Sequence, residues 1–579
     1  MADATDQYAR TEGGDFAEFY EADPHKQVQP RAQIHEDLEV AILGAGWTGL
    51  LAAYHLKKAG ISDFRNIDHA GGWGGVWYWN RYPGLQCDND AYCYLPLLEE
   101  TGFIPTKKYA DGYEIRDYFQ LIVDRYKLGE HSLFHTLTRS LRWDETIQRW
   151  RIITNRGDEL RARFVIMANG LLNIPKLPGV QGIETFKGKL FHTSRWDWSY
   201  TGGSERNPVL DMLGDKRVAI VGTGATAIQA VPFLGQYAKQ LYVVQRTPST
   251  VDVRVNPATD PEWVKSLKPG WKSERERNFD DAAIHGLKPG QPDLICDIWT
   301  EINRNLSAEL LAAGWPAISI EEYMAKREVV DYQVMERLRR RVETIVEDKA
   351  TAEALKPWYR FLCKRPASNN EYYPTFNRHN VKLVDVSTSQ GLERVTESGF
   401  VANGEEYPVD CLIFASGFEV TSDLERRWGL DAIEGCGGLS LYDHWRDGYK
   451  TLHGITTHGF PNLFFTGWIQ SAFSPTTTVL MERHCNHIAH ILKEMRSLGF
   501  TVAEPSEAAQ AQWVDHVRSV AVDMSAFSSE CTPSYFNGEG SREKPRSYFG
   551  DTYGPGWYPF EKILEDWRSE GSLAGLVLS

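Results

Sequence analysis

Two glycine-rich turns of the same design constrain the fold of this 579-residue chain more than any other feature. The first reads G-A-G-W-T-G at positions 44–49, after the short apolar run 39–43 and before a segment of helical spacing from 50 to 59. The second reads G-T-G-A-T-A at positions 222–227, after the apolar run 217–221. A buried strand, a tight glycine turn and a helix form the unit that binds the pyrophosphate of a dinucleotide at the helix N-terminus. The sequence therefore predicts two dinucleotide-binding units in one chain.

The residue that ends the next strand differs between the two units. Asp68 follows the predicted strand 64–67, and Arg246 follows the predicted strand 241–244, at the same distance from the first glycine of each turn. An acid at this position accepts from a ribose 2′-hydroxyl, whereas an arginine binds a 2′-phosphate. The first unit is therefore predicted to bind a nucleotide with a free ribose, and the second a nucleotide with a 2′-phosphate.

Composition and charge exclude several classes of protein. The chain has 63 Lys and Arg against 78 Asp and Glu, and its net charge of −15 disfavours binding to nucleic acid or to an anionic membrane surface. It has no apolar run long enough for a membrane span, and its N-terminus lacks the apolar core of a signal peptide. The eight cysteines are scattered without a C-x-x-C pair, so we expect no disulfide framework. These observations predict a soluble, cytoplasmic protein, and no residue is assigned to a metal.

Between the two glycine turns stands the segment F-x-G-x-x-x-H-x-x-x-W-D. Its defined residues are Phe186, Gly188, His192, Trp196 and Asp197. A second pattern, G-G-x-W-x-x-x-x-Y-P-G-x-x-x-D, runs from position 74 to 88 and matches at every defined position. Together the two patterns resemble the fingerprints of flavin-dependent (type I) Baeyer–Villiger monooxygenases, and the resemblance covers roughly residues 37–579. It implies an enzyme that uses FAD and NADPH.

The resemblance assigns the two cofactors to the two glycine turns. The residues it implies for FAD are Gly44, Gly46, Gly49, Asp68, Gly75, Trp77 and Asp88. Those it implies for NADPH are Gly222, Gly224, Ala227, Arg246, Thr247 and Lys364. Ala227 stands where the fingerprint has a third glycine, and a methyl group is the smallest departure there. We interpret His192 as a structural joint between the two nucleotide units rather than as an acid or base.

The segment K-R-P at 364–366, followed by Y-Y-x-x-F-N-R from 372 to 378, resembles the active-site segment of the family. On this resemblance Arg365 and Asp88 are the catalytic residues. An arginine keeps its charge at every working pH, so Arg365 is suited to holding a peroxide anion and to stabilising negative charge on a tetrahedral adduct. Asp88 would orient the guanidinium through a paired hydrogen bond. The implied reaction inserts one oxygen atom of O2 next to a ketone carbonyl, through a peroxyflavin, and gives an ester or lactone.

The implied fold is α/β, with two Rossmann-like dinucleotide-binding domains for FAD and NADPH and a helical insertion. We predict an N-terminal extension at 1–36, and the first parts of the FAD and NADPH domains at 37–180 and 181–254. The helical insertion follows at 255–350. The second parts of the NADPH and FAD domains follow at 351–395 and 396–579, and the last includes a C-terminal loop that borders the substrate pocket. The extension is either flexible or surface-wrapping, or it covers the rest of the protein as in members of the family.

Three other functions share the plan of two nucleotide sites. An N- or S-oxygenating flavin monooxygenase has both glycine turns, but Trp196, Asp197, Arg365 and Asp88 disfavour it. A pyridine-nucleotide disulfide reductase needs paired cysteines, which the sequence lacks. A redox-sensing binding module without turnover has no need for the two active-site charges. The predicted partners are O2 and a small-molecule ketone, which the N-terminal extension and C-terminal loop suggest to be cyclic or bulky, terpenoid and polycyclic ketones included.

Overall fold

The computed structural model describes residues 22–540 and 551–579. Residues 1–21 of the predicted N-terminal extension and residues 541–550 of the predicted C-terminal loop lie outside the described residues. The described chain is an α/β structure built on two sheets with parallel strands, as predicted.

The strands are numbered along the chain. They are β1 (His35–Leu43), β2 (Phe64–Ile67), β3 (Ser132–Leu133), β4 (Thr138–Asp144), β5 (Arg149–Thr154), β6 (Glu159–Met167), β7 (Lys189–His192), β8 (Arg217–Val221), β9 (Gln240–Gln245), β10 (Val251–Asp252), β11 (Ala367–Ser368), β12 (Val381–Asp385), β13 (Arg394–Thr396), β14 (Gly399–Ala402), β15 (Glu405–Pro408), β16 (Cys411–Phe414), β17 (Ala432–Glu434), β18 (Leu463–Phe465), β19 (Ala503–Pro505) and β20 (Leu576–Leu578).

The α-helices are numbered in the same way. They are α1 (Trp47–Lys58), α2 (Val76–Trp79), α3 (Ala91–Tyr94), α4 (Leu98–Thr101), α5 (Gly112–Arg125), α6 (Trp198–Thr201), α7 (Ala225–Tyr237), α8 (Pro261–Ser266), α9 (Trp271–Asp280), α10 (Glu301–Ala312), α11 (Ile320–Ile345), α12 (Lys349–Ala354), α13 (Tyr372–Thr375), α14 (Leu424–Trp428), α15 (Leu441–His444), α16 (Thr477–Leu498), α17 (Glu507–Val520), α18 (Ser525–Glu530) and α19 (Trp557–Glu570). Within the described ranges, no helix has the length and apolarity that crossing a membrane requires.

The larger sheet, with the helices that cover it, is called the eight-stranded unit. Its strand order is β17-β4-β5-β6-β1-β2-β3, and β18 also pairs with β6. The central strands β2, β1, β6 and β18 pair in parallel, whereas β4 and β5 join by antiparallel pairing. The second half of strand β1 is apolar on both faces: Val40 and Ile42 pack in the cluster that includes α1 and α16, and Ala41 and Leu43 pack on the opposite side. Burial of both faces is what an apolar parallel strand requires.

The smaller sheet, with its helices, is called the five-stranded unit. Its order is β12-β9-β8-β16-β7, and all its pairs are parallel. Val218 and Ile220 of β8 face α7, and Ala219 faces the antiparallel ribbon β13-β14-β15. Helices α8 to α12 lie in one long insertion, which leaves the unit after β10 and returns to it at β11. The parallel pair β10-β11, with Val251 opposite Ala367, brings the two ends of this insertion together.

The described part of the N-terminal extension is held against the eight-stranded unit. Arg31 donates to both carboxylate oxygens of Asp158, at 2.5 and 2.6 Å, and Asp158 also accepts from Thr154 Oγ1 at 2.6 Å. Burial opposes ionisation of Asp158, but these hydrogen bonds outweigh it and lower its pKa to about 2. Farther upstream, the Tyr78 hydroxyl donates to Asp23 at 2.6 Å. Residues 22–34 thus wrap the surface next to the first glycine turn.

One disulfide contradicts the expectation drawn from the cysteine pattern. Cys363 and Cys531 are bonded, although 168 residues separate them in the sequence. The absence of C-x-x-C excludes only local pairs, so the sequence argument was wrong about a pair that tertiary folding brings together. The disulfide joins the segment that precedes Arg365 to the start of the C-terminal loop.

Candidate functional site

The two glycine turns have the same geometry, and each follows the carboxyl end of an inner strand, β1 or β8. Gly44 has φ +130° and Gly222 has φ +111°, values that L side chains rarely adopt. A Cβ on Gly44 would meet the carbonyl oxygen of Ala168 at 2.6 Å, and one on Gly222 would meet that of Ala415 at 2.5 Å. Each turn therefore requires glycine, because the strand next to it approaches too closely for a side chain.

Both turns leave a helix N-terminus without an internal partner. The N-cap residues of α1 and α7 are Gly46 and Gly224, and neither helix has a side-chain cap or an acid in its first turn. The N–H groups at such an end, together with the helix dipole, favour an anion. Asn66 Nδ2 braces the first turn by donating to the carbonyls of Gly44 and Gly49, at 2.9 and 3.0 Å. Both turns are therefore suited to a pyrophosphate.

Three further residues assigned to the first unit lie around its turn. Asp68 Oδ2 accepts from the Ala45 N–H at 2.6 Å, and burial raises the pKa of Asp68. Gly75 has its backbone directly against that of Gly46. Trp77 is buried and its indole N–H donates to the Tyr94 hydroxyl at 2.8 Å. This N–H is therefore already engaged in a hydrogen bond within the protein.

Asp88 and Arg365 form a two-point ion pair. Arg365 Nε and Nη2 donate to the two carboxylate oxygens of Asp88 at 2.6 and 2.8 Å. Burial disfavours both charges, but the pair outweighs it, raising the pKa of Arg365 and lowering that of Asp88. The Arg365 side chain keeps 34% of its surface accessible against 18% for Asp88, so the cation is the member that can meet a substrate. The structure thus joins the two residues that the resemblance had named, which are 277 positions apart.

Hydrogen bonds on one side and strand pairing on the other hold the Asp88–Arg365 pair in place. Asp88 belongs to the eight-stranded unit, where Gln86 exchanges hydrogen bonds with Gln229 of α7 at 3.0 and 3.2 Å. Arg365 stands just before β11, which pairs with β10 beside the end of β9. The ion pair therefore lies where segments of the two units meet.

Three more residues lie around the pair: Arg254 and Trp299 had no signal in the sequence patterns, and Tyr535 belongs to the C-terminal loop that the resemblance places at the substrate pocket. Arg254 lies close enough to help lower the pKa of Asp88, and it donates to Gln86 Oε1 at 2.6 Å. The Trp299 indole donates to the Asp88 carbonyl at 3.2 Å, and its ring lies 4.9 Å from the Arg365 guanidinium. Tyr535, from the C-terminal loop, also interacts with Arg365. Only tertiary packing brings these side chains to the pair.

The residues assigned to the 2′-phosphate form a second cationic group. Lys364 Nζ donates to Thr247 Oγ1 at 2.7 Å, and the Thr247 carbonyl accepts from Thr223 Oγ1 of the second glycine turn at 2.9 Å. Burial and the neighbouring Arg246 lower the pKa of Lys364 to about 7. Arg246, Thr247 and Lys364 thus gather next to the turn that holds Gly222, Gly224 and the buried Ala227.

The segment from Phe186 to Asp197 is bonded within itself and to its neighbours. His192, at the end of β7, accepts from the Ser194 N–H at 3.1 Å through Nδ1, and burial lowers its pKa to about 3. Trp196 Nε1 donates to Thr201 Oγ1 at 3.1 Å, and Asp197 caps α6 by accepting from the Ser199 N–H at 3.0 Å. Phe186 packs against the core below the five-stranded sheet, with Gly188 beside it. A neutral, buried His192 suits a structural joint better than a proton carrier.

Comparisons with known families agree with this arrangement. A family model described as NAD(P)-binding Rossmann-like domain matches residues 42–100. One described as Flavin-binding monooxygenase-like matches residues 92–264. The two matches cover the first glycine turn, the Asp88 segment and the second glycine turn.

Relatives match over nearly the whole chain. Pentalenolactone D synthase of Streptomyces exfoliatus is 45% identical over 99% of this chain and 97% of its own length. Baeyer-Villiger monooxygenase 4 of Dietzia sp. (strain D5) is 42% identical, over 99% of this chain and 92% of its own.

Solved structures are similar over the same extent. The polycyclic ketone monooxygenase from the thermophilic fungus Thermothelomyces thermophila has a TM-score of 0.87 and 37% identity, covering 95% of this chain and 91% of that one. OTEMO in complex with FAD and NADP has a TM-score of 0.75 and 25% identity, covering 94% and 99%.

Proposed function

The chain belongs to the flavin-dependent Baeyer–Villiger monooxygenases, and on that premise we propose that Arg365, oriented by Asp88, carries the oxygen insertion. The enzyme uses FAD and NADPH to insert one oxygen atom of O2 next to a ketone carbonyl, giving an ester or lactone. The observation that carries the assignment is the two-point ion pair, which fixes a permanent cation between the two nucleotide-binding units.

The residues at the first glycine turn fit FAD. The uncapped N-terminus of α1, reached through Gly44, Gly46 and Gly49, would hold the pyrophosphate. The Asp68 carboxylate beside the turn would accept from the ribose. Gly75, whose backbone lies against that of Gly46, and the buried Trp77 would also line the flavin. Asn169, in the turn after β6, has a buried Oδ1 without a hydrogen-bond partner among the described residues, which suits a donor on the ligand.

The second turn fits NADPH by the same argument. Gly222, Gly224 and Ala227 open the N-terminus of α7 to a pyrophosphate. Arg246 would supply a permanent cation and Thr247 a hydroxyl for the 2′-phosphate. Lys364, whose pKa is about 7, would bind as an ammonium because a neighbouring phosphate raises that pKa. When both cofactors are bound, NADPH would supply the hydride and reduced FAD would activate O2, which provides the inserted oxygen atom.

The protein's part in the chemistry is to hold a charge that develops on oxygen. Asp88 accepts from Nε and Nη2 of Arg365, and Tyr535 of the C-terminal loop also contacts the guanidinium. A guanidinium gives up no proton in a protein, so it stabilises an oxyanion without neutralising it. Because its pKa is lowered, Asp88 stays ionised. Its two oxygens accept hydrogen bonds from the Arg365 guanidinium and keep that group in one orientation. The Trp299 ring lies over one face of the guanidinium, 4.9 Å from it.

We also propose a bulky, cyclic or polycyclic ketone as the substrate. The support is the similarity to a polycyclic ketone monooxygenase and to a pentalenolactone D synthase. We propose that the enzyme works without nucleic acid or membrane partners, which the net charge of −15 supports. The net charge carries no information on the compartment, and the Cys363–Cys531 disulfide counts against the predicted cytoplasmic location, because disulfides are rare there.

We predict that Arg365→Ala separates NADPH oxidation from product formation. Flavin binding and its reduction by NADPH should persist, because both glycine turns and Arg246 are untouched. Ester or lactone formation should fall by roughly 10²–10³, since one preorganised electrostatic contact is lost. Product measured by chromatography and hydrogen peroxide measured by a coupled assay decide the outcome.

Arg206→Ala, which breaks an exposed Arg–Asp pair at 2.6 Å, is the matched control and should behave as the wild type. Product at near wild-type rate in Arg365→Ala contradicts the assigned mechanism.

A second prediction concerns the nucleotide. The wild type should be reduced far more efficiently by NADPH than by NADH, and Arg246→Ala should erase most of this difference. Loss of a charge-assisted contact costs roughly 1.5–3 kcal/mol, which is about one to two decades in affinity. Stopped-flow reduction with each nucleotide measures it, with the exposed Arg394→Ala in β13 as a control. Equal efficiencies of the two nucleotides in the wild type would contradict the assignment.

The third prediction tests the substrate class. Across linear, monocyclic and fused-ring ketones, kcat/KM should rise with ring count, at least tenfold from monocyclic to fused-ring compounds. Each buried methylene contributes about 0.8 kcal/mol, so a site shaped for a large skeleton binds a small one weakly. Peroxide release should fall in parallel. A preference for linear ketones would refute this class.

A further inference from the structure

A carboxylate lies inside the group of cations proposed for the 2′-phosphate. Glu539 Oε2 accepts from Arg246 Nη2 at 2.6 Å, and Glu539 Oε1 lies 3.6 Å from Lys176 Nζ. Burial opposes ionisation of Glu539, but Lys176, Arg246 and Lys364 together lower its pKa below the usual value. Neither Lys176 nor Glu539 is assigned by any of the sequence patterns.

Lys176 is placed by the backbone that connects the two units. Its N–H donates to the Gly417 carbonyl at 2.9 Å, and its carbonyl accepts from Ser416 Oγ. Its side chain is only 14% accessible and reaches the carboxylate rather than solvent. A lysine usually keeps its ammonium in water, so a largely buried one needs an anion beside it, which Glu539 supplies.

Glu539 is delivered by a loop that is fixed at several points. The Cys363–Cys531 disulfide and a hydrogen bond of 2.8 Å from Ser534 Oγ to the Cys363 carbonyl tie the loop to the segment of Lys364. Asn537 Oδ1 accepts from the N–H groups of Ser534 and Gly540 at 2.9 and 3.2 Å. Glu539 itself has φ +59°, which a residue with a side chain adopts only at a cost. The loop therefore specifies this position of the carboxylate.

We propose that Lys176 is a third cation for the 2′-phosphate of NADPH, and that Glu539 is the internal counter-ion which this phosphate displaces. The inference rests on the proposed role of Arg246. One carboxylate among three cations leaves the group positive, whereas a phosphate monoester carries a charge of about −1.5 to −2 and balances it better. Two anions at one site repel each other, so Glu539 must move aside when the phosphate binds.

The Glu539 carboxylate also limits how strongly the enzyme prefers NADPH over NADH. An acid at this place accepts from a free ribose 2′-hydroxyl, so Glu539 favours NADH and competes with NADPH. Lys176 acts in the opposite direction, because its charge attracts only the phosphorylated ribose. The two residues are therefore opposing determinants of nucleotide specificity.

The test is equilibrium binding of NADP+ and NAD+ to the oxidised, FAD-loaded, full-length enzyme, measured by titration calorimetry. Lys176→Met should lower the ratio of NADP+ to NAD+ affinity about tenfold, because a charge-assisted contact is lost. Glu539→Gln should raise the ratio several-fold, because the competing charge is gone. Lys176→Arg keeps the charge and should retain most of the wild-type ratio, which separates loss of charge from misfolding.

Lys382→Met and Glu405→Gln are the matched controls. They form an exposed Lys–Glu pair at 3.7 Å in the same unit and should leave the ratio unchanged. If the wild type binds both nucleotides equally, the proposed NADPH site fails and this inference fails with it. If the wild type prefers NADP+ and Arg246→Ala weakens the preference, a wild-type ratio in either Lys176→Met or Glu539→Gln overturns this inference alone.

Discussion

The ion pair between Asp88 and Arg365 is the interaction on which the rest of the site depends. A charged side chain in a partly buried position is stable only with a partner of opposite charge and good geometry. The two-point contact at 2.6 and 2.8 Å meets this requirement and also fixes the plane of the guanidinium. The fold contributes by bringing together two segments that are far apart in sequence, one from each nucleotide-binding unit. The same contact therefore orients the catalytic cation and joins the two nucleotide-binding units.

The two units repeat one design and differ in charge where their specificity differs. Both use a glycine turn pressed against a neighbouring strand and an uncapped helix N-terminus. At the matched position the first unit has an acid, Asp68, and the second a cation, Arg246. The C-terminal loop adds a link between sites, because Tyr535 interacts with Arg365 and Glu539 binds Arg246 only four residues later. Any displacement of this short segment therefore alters the surroundings of both arginines.

The sequence predicted those parts of the structure that local pattern decides. The predicted strands at 64–67 and 217–221 are β2 and β8, and charged residues or a glycine bound each of them, Asp63 and Asp68 in one case and Lys216 and Gly222 in the other. Strand β1 begins at His35, four residues before its apolar run, since its polar start pairs with β6 and this pairing is a tertiary property. The same limit applies to the site. Asp88 and Arg365 were identified through family patterns, whereas Arg254, Trp299, Lys176, Glu539 and the disulfide depend on which loops the fold brings together.

The central claim is that Asp88 acts only through Arg365. A double-mutant cycle in the rate of product formation, with Arg365→Ala, Asp88→Ala and the double variant in single turnovers, tests it most directly. If Asp88 only orients the guanidinium, removing it from an enzyme that already lacks Arg365 should change the rate by less than about twofold. Fully additive losses in the double variant would show that Asp88 contributes independently and would contradict the account.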